Sequence, residues 1–276
     1  MDKHQTIPDA STKEELPQAR GRVPLSRILE KLDFYLNQND YDAAQRHLCY
    51  WQNEATALND LPGALTVCNE LMGLYRKRGN EQAALESVQT GLSLMHRLHL
   101  EKEISGATTY LNAATVYKSF HMASKALPLY QHAKEIYEKN LPDRDPRLGG
   151  LYNNMALALV DLKQYQEAHT LYQRALHVMQ QAPNGTQEQA ITYLNMADAA
   201  VAEMGNEAAE KIVNQYLTRA AQLLDDPTLP QDGYHAFICE KCAPGFGYYG
   251  WFYKEKELSE RAKRIYERNA AGKTVL

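Results

Sequence analysis

The chain of 276 residues is 44 % hydrophobic and 23 % charged, a balance that fits a folded protein and excludes wholesale disorder. A formal net charge of −4 and a pI near 6.2 offer no field for a nucleic-acid backbone. No stretch approaches the ~18 consecutive apolar residues of a membrane span, so a membrane is also set aside as a partner.

Residues 1–24, MDKHQTIPDASTKEELPQARGRVP, hold no apolar core that could serve as a secretory signal, and their polar content predicts a flexible leader. Four cysteines in a chain of this length do not make a disulfide framework, and without a signal the expected setting is a reducing cytoplasm. The sequon at Asn184-Gly185-Thr186 then has no meaning.

From residue 25 onward the dominant signal is internal repetition. A degenerate first unit, about 25–59, is marked by Tyr41-Asp-Ala-Ala44 and Trp51. In the second, 61–99, Glu70 is followed by Met72, Tyr75, Gly79, Ala84, Val88, Gly91 and Leu94. The third (104–141) and fourth (147–182) share one register: Asn112/Ala114 with Asn154/Ala156, then Ala126 with Ala168, Leu129-Tyr130 with Leu171-Tyr172, and Ala133 with Ala175. The fifth, 187–225, repeats Asn195 and Ala197. The three asparagines stand 42 and then 41 residues apart. A sixth unit, 233–269, fits through Gly250, Tyr253, Ala262, Ile265 and Tyr266, stretched by Cys239–Gly250, and 270–276 is a tail.

Each unit reads as two helices, because apolar residues recur at three- and four-residue steps. Turn chemistry separates them at Gly79-Asn80, Pro142–Pro146, Pro183–Gly185, Gly205-Asn206 and Asp225–Pro227. Pro128 requires its helix to begin near Ala123 or Ser124, and Pro244-Gly245 should bend or break another. Small residues at Ala114, Ala126, Ala156 and Ala168 allow close helix approach, with tyrosines filling the space between pairs. One pair cannot bury its apolar face, so the expected fold is all-α: antiparallel helix pairs stacked into a solenoid with a continuous core.

These spacings resemble the tetratricopeptide repeat (TPR), and LYNNMALALVDLKQYQEAHTLYQRALHVM is most similar to its 42-residue kinesin-light-chain-type variant. The resemblance covers residues 60–224 well and the rest loosely. It implies a right-handed superhelix whose first helices line a concave, peptide-receiving groove. It further implies that Asn112, Asn154 and Asn195 form a ladder on the backbone of a bound peptide. A carboxamide suits that role, since it offers a donor and an acceptor together. Asn69, Asn153, Arg76, Lys77, Lys118 and Asp198 are expected on the same faces, with the basic trio Arg76, Lys77 and Lys118 ready for an acidic residue or a terminal carboxylate. The asparagines could instead bridge neighbouring helices.

The expected function is thus a non-catalytic, cytoplasmic and bacterial adaptor or sensor for a protein or peptide partner. The alternative is a scaffold that binds through its outer face or its aromatic C-terminal unit, Phe246–Tyr253. No catalytic residue and no cofactor is assigned. A single Cys239-x-x-Cys242 pair falls short of the four ligands zinc needs, so a metal or redox role is the third reading and buried helix packing the preferred one. Gly272-Lys-Thr274 lacks the glycine and strand of a phosphate loop.

Overall fold

In a computed structural model of the chain, residues 19–183 and 185–271 are described. They form twelve α-helices and no strand: α1 Leu25–Leu36, α2 Tyr41–Ala57, α3 Leu61–Lys77, α4 Glu81–Arg97, α5 Ile104–Ser119, α6 Ala123–Asn140, α7 Pro146–Asp161, α8 Tyr165–Met179, α9 Gly185–Met204, α10 Asn206–Leu224, α11 Gly233–Tyr248 and α12 Phe252–Ala271. Consecutive helices pair as antiparallel hairpins. Odd-numbered helices from α3 onward also pack on one another, α3 on α5 through to α9 on α11, so the hairpins stack with the odd helices along one side.

The turns explain the regularity. Asn39, Asn59, Gly79, His99, His121, Lys163 and Gly250 each take positive φ just after a helix. The next N–H then reaches back five residues to a helix carbonyl, as in Asp40→Tyr35, Asp60→Ala55, Asn80→Tyr75, Met122→Tyr117, Gln164→Leu159 and Trp251→Phe246. This left-handed cap satisfies carbonyls that a helix end would leave bare and reverses the chain within three or four residues, or six between α4 and α5. Asp40, Asp60 and Asn80 then cap the following helix with their side chains.

The alanines singled out in the sequence sit where helices cross: Ala114, Ala126, Ala133, Ala156, Ala168 and Ala175 are fully buried, as are the large side chains of Tyr130, Tyr137 and Tyr172. The core falls into two large clusters, one from α1 to α9 and one from α9 to α12, with Tyr193 and Tyr216 packed against both. A smaller cluster lies between α3, α4 and α5.

Four local expectations change. Residues 20–23 are not loose leader: Arg20 N–H donates to Leu58 O at 2.8 Å, and Val23 is buried with its N–H on Asp60 Oδ2 at 2.9 Å. Residues 1–18 of the leader reading and 272–276 of the tail, with Gly272-Lys-Thr274, lie outside the described residues, as does Asn184 of the sequon. Helix α6 does begin at Ala123, yet Pro128 stands in its second turn rather than its first, leaving the Ser124 carbonyl without its helical N–H. Pro244-Gly245 does not break α11, which continues to Tyr248. The Cys239–Gly250 stretch is accordingly the end of a helix and its turn, not a separate insertion.

Candidate functional site

The odd-numbered helices carry the row that the repeat register marks. Its positions are Glu70 on α3, Asn112 on α5, Asn154 on α7 and Asn195 on α9, and 42 residues further it reaches Phe237 on α11. The structure shows what these side chains do between helices. Asn112 Nδ2 donates to Asn69 Oδ1 at 3.0 Å, and Asn195 Nδ2 donates to Asn153 Oδ1 at 3.0 Å. In both pairs the row residue of one unit reaches the residue just before the row position of the preceding unit. Asn69 in turn donates to Thr109 Oγ1 and to Leu65 O, each at 3.1 Å.

The same rule accounts for Asn154. Its counterpart in the preceding unit is Leu111, which has no acceptor on its side chain, and Asn154 is half-buried without a side-chain hydrogen bond among the described residues. Asn153, by contrast, is only 5 % exposed. Thus Asn112 and Asn195 each commit one donor to a neighbouring helix and retain an oxygen and a second N–H, while Asn154 retains its full set.

The charged residues divide similarly. Lys118 faces Asp161 at 3.7 Å, and Asp198 accepts from the Tyr249 hydroxyl at 2.7 Å. Burial raises the Asp198 carboxyl, opposed by the Tyr249 hydrogen bond and the Lys118 charge. Arg76 forms no ion pair among the described residues, and desolvation lowers its pKa although its side chain is exposed. Protein atoms packed around the group disfavour its charged form even though its surface still meets water. Lys241 on α11 shows the same combination, with desolvation the leading cause and the Arg76 charge adding to it.

Lys77 is the most connected. Its Nζ hydrogen-bonds the Tyr41 hydroxyl, lies 3.8 Å from Glu240 Oε2, and sits 4.2 Å over the Phe237 ring and 4.4 Å over that of Tyr41. It therefore touches the first unit (α2) and the last (α11) at once. Leu32, Asp33, Glu70, Arg76, Tyr234 and Phe237 join it around a hollow of about 440 Å³. The two ends of the row, Glu70 and Phe237, face that same hollow, so the solenoid bends far enough for its ends to meet. Asn269 Nδ2 donates to Asn37 O at 3.2 Å across the same junction, and a Cβ on Gly233 would collide with Asn37. Tyr234, Phe237, Glu240 and Lys241 were not among the residues expected from sequence; adding 42 to Asn195 would have reached Phe237.

Cys239 and Cys242 are buried one helical turn apart, and burial pushes their thiols up to about 11 and about 12. His235 lies 3.5 Å from Cys239 Sγ, and Gln187 Nε2 is 2.9 Å from His235 Nδ1. No group of three or more His, Cys, Asp or Glu among the described residues is placed to hold a metal ion. The aromatic tract splits: Phe246 is buried and Trp251 reaches Asn214 at 3.4 Å, whereas Tyr248, Phe252 and Tyr253 are 72, 67 and 95 % exposed. No helix among the described residues is long and apolar enough to cross a membrane.

No protein-family model matches the chain, and no curated protein matches it by sequence. Among solved structures it is similar to a variant of a kinesin-light-chain protein of nearly identical TPR-like repeats from Podosopora anserina, with TM-score 0.50, 17 % identity, and coverage of 75 % of this chain and 96 % of that one. It is also similar to BtubC (BKLC) from P. vanneervenii, with TM-score 0.47, 20 % identity, and coverage of 91 % and 94 %. A tetratricopeptide repeat protein from Parabacteroides merdae follows at TM-score 0.43 and 17 % identity over 89 % of this chain and 92 % of that one. The first likeness is one of fold: stacked TPR-like helical hairpins.

Proposed function

We propose that the chain is a peptide-binding adaptor whose inner row of side chains, Asn112, Asn154 and Asn195, holds an extended polypeptide by its backbone. The observation that carries this reading is the unspent hydrogen-bonding capacity along the row, greatest at Asn154. A half-buried carboxamide that folding leaves without a partner is poised to exchange bonds with a peptide unit. With Asn112 and Asn195, which each keep an oxygen and one N–H free of the bond to a neighbouring helix, it forms a row on successive inner helices, which suits a chain laid across the units rather than along one helix. Asn69 and Asn153 act from behind, orienting Asn112 and Asn195. Lys118, already beside Asp161, and Asp198, beside Tyr249, would contribute specificity at the groove wall, and Arg76 and Lys77 would face acidic side chains. The reading includes no catalytic step.

One observation favours a second reading. Tyr248, Phe252 and Tyr253 stand exposed at the α11–α12 turn, and exposed aromatics of this kind serve as anchors in protein interfaces. In that case the chain is a scaffold held by its tip. A peptide array probed with wild type, with Asn112/Asn154/Asn195→Ala and with Tyr248/Phe252/Tyr253→Ser separates the two. Loss of the hits in the asparagine variant alone supports the groove; loss in the aromatic variant alone refutes it in favour of the tip.

A further inference from the structure

The junction between the first units and the last is built differently from every other contact in the solenoid. Neighbouring units meet through fully buried alanines and tyrosines. The end-to-end junction instead surrounds a hollow of about 440 Å³, with an outer cleft beside it lined by Gln38, Asn39, Glu240, Pro244 and Tyr266. Besides the close approach of Gly233 to Asn37, the polar contacts that span it among the described residues are one long ion pair, Lys77 to Glu240 at 3.8 Å, with the Phe237 ring under the same ammonium, and the Asn269 amide on Asn37 O. The ion pair is half-exposed on the Glu240 side, where water and salt weaken it. Arg76 and Lys241 add two more cations to Lys77 at this seam, and they repel one another. Glu240 is the acid nearest Lys77, while Glu188 is engaged by the Tyr234 hydroxyl.

We infer that the seam is a gate: Glu240 latches Lys77 while the solenoid is closed, and its release lets an extended acidic polypeptide segment enter the inner face sideways. This rests on the groove reading proposed above and adds the route and the charge of the occupant. When Glu240 leaves, Lys77 loses its nearest acid, while Arg76 beside it in the hollow and Lys241 close by still repel it. The carboxylates of Asp33 and Glu70 that also line the hollow make no ion pair with it among the described residues, and an acidic residue of the entering segment takes the place of Glu240 on Lys77. A partner could then be captured by an internal stretch of its chain, with no free end to thread.

The test needs no peptide, so its failure is distinct from failure of the groove reading. Spin labels at Arg46→Cys and Arg264→Cys, two exposed positions on α2 and α12, report the distance across the seam in a Cys49→Ser background; the other three cysteines are buried. The closed wild-type chain should give one narrow distance. Glu240→Lys, which sets a fourth cation among Arg76, Lys77 and Lys241, should lengthen and broaden it, high salt should do so in the wild type, and Glu240→Lys/Lys77→Glu should restore the narrow peak. In parallel, a cysteine placed by Asn154→Cys should react with a polyethylene-glycol maleimide several-fold faster in the Glu240→Lys background and at the original rate in the charge swap, while N-ethylmaleimide reacts alike in all three. An unchanged distance in Glu240→Lys overturns the latch. A longer distance with unchanged polymer labelling overturns the seam as the way in.

Discussion

At the residue scale, the inner asparagines carry two different loads. Asn112 and Asn195 each join adjacent helices through one carboxamide bond, and Asn154 does not. Asn112→Ala should therefore lower stability by about 1 kcal/mol, the usual net worth of such a bond with some added penalty for the stranded Asn69 oxygen. Asn154→Ala should stay within about 0.5 kcal/mol of wild type. Urea denaturation of the two variants checks this, and equal losses would mean that Asn154 has a structural bond after all. The repeated asparagines could be read from the sequence, because a 42-residue recurrence of a polar residue on a helix is visible without coordinates. Their bonding could not, since it depends on whether the residue one place earlier in the preceding unit is Asn69, Leu111 or Asn153. That asymmetry appears only once the helices are laid side by side.

At the element scale, the helix pairs were legible and their turns only in part. Gly79-Asn80 announces a reversal through glycine and a capping amide, but His121 and Lys163 adopt the same left-handed conformation with side chains that carry no such signal. What fixes them is the packing of the helices on either side. Asp60 shows how much a cap can do beyond its own helix. Its carboxylate is 2 % exposed and accepts from Gly63 N–H at 3.1 Å to cap α3, and from Val23 N–H at 2.9 Å to hold residues 20–23 against the first hairpin. Asp60→Ala should cost about 2–3 kcal/mol, a lost cap plus a buried donor left unpaired. It should also release Arg20 and Arg22 to trypsin much faster than in wild type. Unchanged cleavage at these arginines would show that Leu58 and the Val23 side chain hold the segment without Asp60. Polar composition alone marks residues 1–24 as a loose leader, because nothing in the sequence links Val23 to a carboxylate 37 residues away.

At the scale of the whole molecule, the periodicity in the sequence specified stacked hairpins but not how far the stack bends, because curvature is the sum of small rotations set by packing at each step. Here the sum brings Glu70 and Phe237 to one hollow and makes Lys77, expected simply on the groove wall, a bridge between the first and last units. The last unit is also anchored from behind. Asp225 on the α10–α11 connection meets Lys254 at 2.5 Å and Arg261 at 2.9 Å on α12, and Arg261 donates to Leu224 O at 2.6 Å. Burial pushes the Asp225 carboxyl up, but the hydrogen bonds and charges of Lys254 and Arg261 outweigh it and hold the carboxyl below its ordinary value of 3.8. A depressed carboxylate stabilises the folded state above its unfolded value, and that contribution is lost as pH falls through the folded one. Acid titration of the last unit, followed by Trp251 fluorescence, should accordingly show a transition below the ordinary Asp range that Asp225→Asn flattens; an unaltered acid limb in that variant would assign the transition elsewhere.

The most direct test of a polypeptide lying on the inner helices is hydrogen–deuterium exchange of the wild-type chain with and without a peptide taken from the array. Slower exchange should appear in α5, α7 and α9 around Asn112, Asn154 and Asn195, with α4, α6, α8 and the Tyr248–Tyr253 turn unchanged. Slowing confined to that aromatic turn, or to the even-numbered helices, would contradict the account.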